Sequence, residues 1–534
     1  MDTATETDVL IVGAGPSGLS CAIELGLRGI RCMVIEKNDR VGSSPRAKTT
    51  NVRSCEHLRR WGIAKRLREA SPLPPGYPSN VVFATRMNGH LLARIEDAFN
   101  THSAKNNLYS ESAQWVPQYV LEEILKDFAA SLPAVSIAFD TELMSVERAP
   151  ESIASTVKRG DEGAVVRSRF LLGADGARST VRRLIGARMS GPSEGLKNLS
   201  IIFRSEEIAK RHTFGPAVMY WMVNDDIPSL MGPMDRSDLW YFMATKISAD
   251  LEHDPAELIR KSSGLHDLKL EVVARDPWTA SQLVADSYGA DRIFLLGDAC
   301  HLHPPFGGFG MNLGISDAVD IGWKIAATLQ GWGGHALLAS YELERKQVHQ
   351  RTIAEAAANY AVVGNQLVRP SLEHAGEIGK ATRKEVGEII AASKIREFKS
   401  LGLVLGSRYR NSPIIFPEDC KLPDENTSLY LPTACPGGLA PHLWLADGTS
   451  LYDYFGPGFT LLVTAEAAAD MIGLSRAAKT LNLPFKVLAP GDLRLKDRYQ
   501  ANFALIRPDQ YVAWRGDALP TDAEGLLRHV IGAA

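Results

Sequence analysis

The sequence predicts an α/β protein of several units, and three observations lead there. Short apolar runs such as VLIV (9–12), CMVI (32–35) and IFLL (293–296) read as buried parallel strands, with helical patterns between and after them. Between 190 and 285 the pattern changes to aromatic-rich runs such as NLSIIFRS, AVMYWMVN and LWYFMATKI, which read as strands of a second sheet. Finally, a chain of 534 residues, 45% hydrophobic and 23% charged, has the size and composition of a large globular protein rather than one small domain.

Composition also excludes several function classes. The net charge of −3 comes with no long basic run, so no nucleic-acid footprint is expected. No stretch of about 20 apolar residues lacks charges, so no membrane span is expected. The start MDTATETDVLIVG is acidic ahead of its apolar run, which speaks against a secretory signal. The cysteines Cys21, Cys32, Cys55, Cys300, Cys420 and Cys435 are scattered without a CxxC or zinc spacing. They read as reduced thiols of a cytoplasmic protein.

The first strand, VLIV, runs into Gly13-Ala14-Gly15-Pro16-Ser17-Gly18, then a helical stretch, then CMVIE ending at Glu36. This is a βαβ unit carrying GxGxxG. Gly13 permits the tight turn, Gly15 lets backbone approach a pyrophosphate, and Gly18 lets the helix pack on the strand. The helix N-terminus offers N–H groups to the phosphates, and Glu36 is placed to accept from a ribose. An acid there disfavours a 2′-phosphate.

A second strand, turn and helix follow in FLLGADGARSTVRRLIG (170–186), with Asp175 in the turn and Arg178, Arg182 and Arg183 reading as a solvated face. A third strand leads into GDACHLHPPFGGFGMNLG (297–314). Asp298 sits at its end, and Ile315, Ala318, Val319, Gly322 and Trp323 mark the helix beyond. Asn312 and Gly314 thus fall near a helix N-terminus, which favours negative charge. His301 and His303 lack a third ligand at metal spacing, so packing or hydrogen bonding is favoured and no metal is expected. Cys300 reads as a buried filler.

These three patches, in this order, resemble the fingerprints of the FAD-dependent aromatic hydroxylases, the single-component flavoprotein monooxygenases of the para-hydroxybenzoate and phenol hydroxylase type. The resemblance implies a Rossmann-like FAD-binding domain (1–79, 116–189 and 286–400), an inserted β-sheet substrate domain (80–115 and 190–285) and a linker with a thioredoxin-like C-terminal domain (401–534). It implies that Gly13, Gly15 and Gly18 carry the FAD pyrophosphate and Glu36 the adenosine ribose. Arg46 and Gln118 would hold the phosphate and ribityl region. Asp175 would organise its turn, Asp298 would bind a ribityl hydroxyl, and Gly310, Met311 and Asn312 would turn backbone N–H groups to the isoalloxazine. Pro304 and Pro305 would wall the reacting face, and His301 and Tyr220 are candidates for proton handling.

The implied activity is hydroxylation of a phenolic or polyketide-like ring with NAD(P)H and O2, through a flavin C4a-hydroperoxide. Baeyer–Villiger insertion or epoxidation on the same fold is the alternative. No second GxGxxG is present, which suits a family that binds NAD(P)H without a separate domain. Tyr220, Trp221, Trp240, Tyr241 and Phe242 are candidate pocket residues, although plain sheet packing is the commoner fate of such side chains. Where phenol hydroxylases carry an aspartate two residues past the cofactor arginine, this chain has Lys48. The Pro/Gly-rich passage 409–441 reads as a linker, and FTLLV and NFALIRPDQYVAWR carry the thioredoxin-like resemblance. Without CxxC that domain is expected to be structural or a dimer contact.

Overall fold

The computed structural model describes residues 5–39, 41, 47–102, 104–235, 238–247, 254–362, 367–420, 422–465 and 471–534. Its first layer is a parallel sheet. The strands are β1 (Val9–Val12), β2 (Cys32–Ile35), β3 (Val135–Ala138), β4 (Phe170–Gly173) and β5 (Ile293–Leu295), in the spatial order β5-β4-β1-β2-β3, with Gly289–Ala290 antiparallel at the β5 edge. β1, β4 and β5 are buried along their whole length, as their continuous apolar runs require.

The helices that matter for the site are α1 (Pro16–Gly26), α2 (Gln118–Ala130), α3 (Thr180–Leu184), α4 (Gly310–Leu329), α5 (His335–Ala361) and α6 (Glu377–Phe398). α1 opens with proline at its first position, where a missing N–H costs nothing. α4 is buried almost all round because it is packed between α1 and the C-terminal sheet. Gly322 brings α4 close to α1: a Cβ there would meet the Glu24 Cβ at 2.8 Å.

The second layer is a seven-stranded sheet in the order Glu271–Ser281, Ser193–Arg204, Leu239–Ile247, Ser229–Pro233, Met219–Met222, Val81–Ala84 and Leu91–Ile95. Residues near 80–95 therefore join strands from 190–285, through a parallel pairing of Met219–Met222 with Val81–Ala84. Alternation sorts its aromatics onto two faces. Phe83, Trp221 and Tyr241 share one core with Phe306, Val386 and Ile390, whereas Tyr220, Trp240 and Phe242 share the other with Leu258 and Ile259. A further sheet, built from Thr141–Arg148, Ile153–Arg159 and Glu162–Ser168 with Thr5–Glu6 at its edge, has no counterpart in the sequence expectation.

The C-terminal sheet has the order Phe485–Leu488, Phe459–Val463, Phe503–Ile506, Val512–Gly516, the first pair parallel and the others antiparallel. With the helices Ile472–Thr480 and Ala523–Val530 this is a thioredoxin-like arrangement. Its core continues into α4: Trp323 and Ala327 pack with Phe459, Leu461 and Leu527. The passage 409–441 differs from the expected linker. It has little regular structure, yet Tyr409, Ile414, Ile415, Tyr430, Cys435 and Leu439 are buried. Prolines deny it a ladder, but its apolar side chains still find cover between the first layer and the C-terminal sheet.

Candidate active site at the carboxyl ends of the parallel strands

Register sets the site. Val12 of β1 stands beside Ile35 of β2 and Gly173 of β4, and Gly173 stands beside Leu295 of β5. The three glycine-bearing loops therefore leave the sheet at one level. β1 and β4 are also where the strand order reverses, the crevice in which open α/β sheets take their ligands.

The glycines fit that crevice. Gly13 sits at φ +109°, and a Cβ on it would run into the carbonyl of Ala174 in the second loop. A Cβ on Gly18 would strike the Gly13 carbonyl. Gly15, by contrast, faces open space, and no side chain caps α1, so its first N–H groups point into room for a phosphate. At the end of β2, Glu36 accepts from the Ala14 N–H at 3.0 Å and from the Asn38 N–H at 3.0 Å, which fixes its carboxylate beside the first loop.

The second loop is organised by Asp175. Its carboxylate accepts from the Thr180 N–H at 2.6 Å, the Val181 N–H at 3.1 Å and the Ser179 hydroxyl, so it caps α3. Arg182 donates to the Ala299 carbonyl at 2.9 Å and ties this helix to the third loop rather than lying on a solvated face. Gln118, first residue of α2, accepts from the Ala47 N–H at 3.2 Å and donates to Glu122 at 2.7 Å. Arg46 lies outside the described residues.

In the third loop Asp298 is exposed at the strand end while Gly297, Ala299 and Cys300 are buried. Gly297 and Gly314 both face Ser17 of the first loop; their missing Cβ atoms make room for its hydroxyl. The Asn312 side chain is turned inward. It donates to the Thr49 carbonyl at 2.9 Å and the Gly308 carbonyl at 2.7 Å and accepts from the Asn51 N–H at 2.8 Å. No side chain caps α4, so the first turn at Gly310, Met311 and Asn312 keeps its N–H donors for the crevice.

His301 lies behind this wall, not on it. It is fully buried, and its Nε2 is 3.1 Å from Asp317. Asp317, which sequence reasoning missed, gathers the Gly297 N–H at 3.1 Å, His349 Nε2 at 2.8 Å and Arg345 Nε at 2.7 Å. Cys300, His301, Asp317 and His349 bring one ligand atom each within 4.8 Å of one another, but the Arg345 guanidinium already supplies the cation that Asp317 needs. Burial would raise the Asp317 carboxyl; the surrounding donors hold it well below its usual range. The signal that could have exposed Asp317 was its place in α4: an acid on the buried face of a helix needs partners. His303 is the histidine nearer the crevice, with its Nε2 beside the space over Gly310; burial pushes it down to about 4.

Tyr220 is not brought to these loops. Its ring belongs to the core under the Pro255–Ser263 helix, and its hydroxyl donates to the Gly215 carbonyl at 2.7 Å. Trp240 and Phe242 share that far face. Trp221 and Tyr241 lie on the near one: Phe306, next to Pro305 in the third loop, is 5.9 Å from Trp221 between ring centroids. Lys48 Nζ sits 4.0 Å from the centre of the Tyr241 ring.

Residues 6–356 match the FAD binding domain family, and residues 433–534 match the aromatic-ring hydroxylase C-terminal family. The tetracenomycin B2 monooxygenase-dioxygenase of Streptomyces olivaceus is 32% identical over 98% of this chain and 98% of its own. The chain belongs to the FAD-dependent aromatic-ring hydroxylases. The structure of the rebeccamycin biosynthetic enzyme RebC with reduced flavin superposes on this hydroxylase with a TM-score of 0.92 at 33% identity, covering 100% of each chain. Aklavinone-11 hydroxylase, solved with FAD and aklavinone, gives 0.85 at 28% identity over 99% of this chain and 100% of that one. The hydroxylase's cofactor is FAD, and the crevice of three level loops fits it. No helix among the described residues of the hydroxylase is long and apolar enough to cross a membrane.

Proposed function

We propose that the protein uses NAD(P)H and O2 to hydroxylate a phenolic or polyketide-like aromatic substrate in the cytoplasm, where its six free cysteines stay reduced. The observation that carries this reading is the union of the third loop with the aromatic face of the second sheet. Phe306 of the third loop shares one buried core with Trp221 and Tyr241 of the sheet, and its ring lies 5.9 Å from that of Trp221. Relatives support the substrate class: aklavinone and 7-carboxy-K252c occupy solved homologues. A homodimer through the C-terminal domain belongs to the same reading.

Bound FAD would supply the electron transfer from NAD(P)H and the activation of O2. The protein's own part is placement. The α1 N-terminus and Gly13, Gly15 and Gly18 hold the pyrophosphate, and Glu36 takes the ribose. Gln118 positions the segment after Arg46, which is proposed to reach the phosphate region. Asp298 takes a ribityl hydroxyl. The uncapped N–H groups of Gly310, Met311 and Asn312 present a helix's positive end where negative charge develops on the ring edge. Pro304, Pro305 and Phe306 keep water from the reacting face. His301 acts through Asp317 as a positioning residue for the Gly297 turn.

The purified protein is expected to be yellow and to oxidise NAD(P)H faster with a phenolic effector, giving a product heavier by one oxygen atom. A protein that retains no flavin would overturn the reading. Asp298→Ala is expected to weaken FAD binding about tenfold, the worth of a hydrogen bond to a charged group; unchanged affinity would remove Asp298 from the cofactor site.

A further inference from the structure

Among the described residues, each fully buried lysine or arginine has a carboxylate in contact. Lys324 meets Asp320 and Glu344, Lys394 meets Glu397, Arg345 meets Asp317, and Arg53 meets Glu56. The half-buried Lys48 does not. Among the described residues its ammonium has no ion pair, and its neighbour is the face of Tyr241. A cation over an aromatic ring recovers less than a desolvated charge loses. Burial accordingly pushes this ammonium down to about 8.

The backbone at Lys48 is clamped on both sides. The Ala47 N–H donates to Gln118 at 3.2 Å, the Lys48 carbonyl accepts from the Val116 N–H at 2.7 Å, and the Thr49 carbonyl accepts from Asn312 at 2.9 Å. Thr49 also lies against Gly308 of the cofactor loop. The lysine stem thus starts at the cofactor wall and ends on the sheet that faces it. Any ring bound between those surfaces lies next to an unneutralised ammonium.

Resting on the hydroxylase reading, we propose that Lys48 is a specificity-determining residue that selects aromatic substrates bearing an anionic oxygen group. The source of that charge is a carboxylate or an ionised phenol, and both offer the charge-assisted hydrogen bond that the ammonium lacks.

The test uses the holoenzyme and reads dissociation constants from ligand-induced changes in flavin absorbance. Two ligand pairs separate the sources: a hydroxynaphthoate against its methyl ester, and a nitronaphthol ionised at neutral pH against naphthol. Lys48→Met keeps most of the stem and removes the charge; Lys48→Arg keeps the charge. In Lys48→Met the anionic member of at least one pair is expected to bind about tenfold to a hundredfold more weakly while its neutral partner shifts less than about twofold. Lys48→Arg is expected to keep the preference. Equal losses for charged and neutral ligands, or a preference that survives in Lys48→Met, would overturn the proposal. Should Lys48→Met not fold, Lys48→Gln gives the same comparison. If wild type binds none of the four ligands and no aromatic stimulates NAD(P)H oxidation, the hydroxylase reading falls first and takes the proposal with it. If aromatics bind without regard to charge, the proposal alone falls.

Discussion

At the scale of single residues the site is made by what is missing and by what is buried. Gly13→Ala would need both a φ that L residues rarely adopt and room that Ala174 occupies. We expect this variant to purify largely without flavin, read as the ratio of protein to flavin absorbance. Burial also holds several histidines neutral, among them His349, pushed down to about 3, and His303 and His442, pushed down to about 4. Their folded values lie below the unfolded value, so their contribution is complete above about pH 6.5 and is lost as pH falls from there toward 4. Each adds a slope of at most about 1.4 kcal/mol per pH unit. A melting temperature that is flat between about pH 7.5 and about pH 5 would contradict this. Glycines are legible in a sequence because so few conformations require them. The place of Asp317 on the buried face of α4 was legible, but its partners were not: nothing beside it in the chain announces His301, His349 and Arg345.

At the scale of elements, the parallel strands could be read because burial on both faces leaves an unbroken apolar run. Their common level could not, since register depends on pairing between residues far apart. Period-2 alternation decides the fate of the aromatic strands. Adjacent Tyr220 and Trp221 look equivalent as letters, yet they enter different cores. Trp221→Ala should therefore disturb ring binding as well as packing, while Tyr220→Phe, which removes only the hydroxyl bonded to Gly215, should lower stability by about 1 kcal/mol and leave the Kd for aromatic ligands unchanged. The passage 409–441 shows the opposite failure. Proline and glycine signal irregular backbone there, and the reading as a linker misses that the apolar residues between the prolines are buried.

At the scale of the whole molecule, the C-terminal sheet is tied to the cofactor layer by charge. Arg507 is buried and donates to Glu344 at 2.6 and 2.9 Å, to Asp320 at 3.1 Å and to Asp509 at 2.6 Å. Lys324 completes the cluster on Asp320 and Glu344. Burial alone would raise the Glu344 carboxyl; Arg507 and Lys324 bring it down to about 2. Arg53, from the helix near the first loops, reaches the Asp509 carbonyl at 2.6 Å and Gln510 at 2.7 Å. Arg507→Met leaves carboxylates buried beside too little positive charge and should cost about 3–5 kcal/mol, seen as a lower urea midpoint, with flavin released in the same transition.

That cluster also sets an order of manufacture. Asp320 and Glu344 leave the ribosome well over a hundred residues before Arg507 can reach them. Until then Asp320 of α4, the helix whose first turn is proposed to face the flavin, and Glu344 of α5 have only the Lys324 ammonium to answer them. A nascent chain can lay down its parallel sheet early, but the cofactor wall is expected to close only once Arg507 has emerged. Chains stalled before residue 507 should accordingly remain colourless on the ribosome, however much FAD surrounds them.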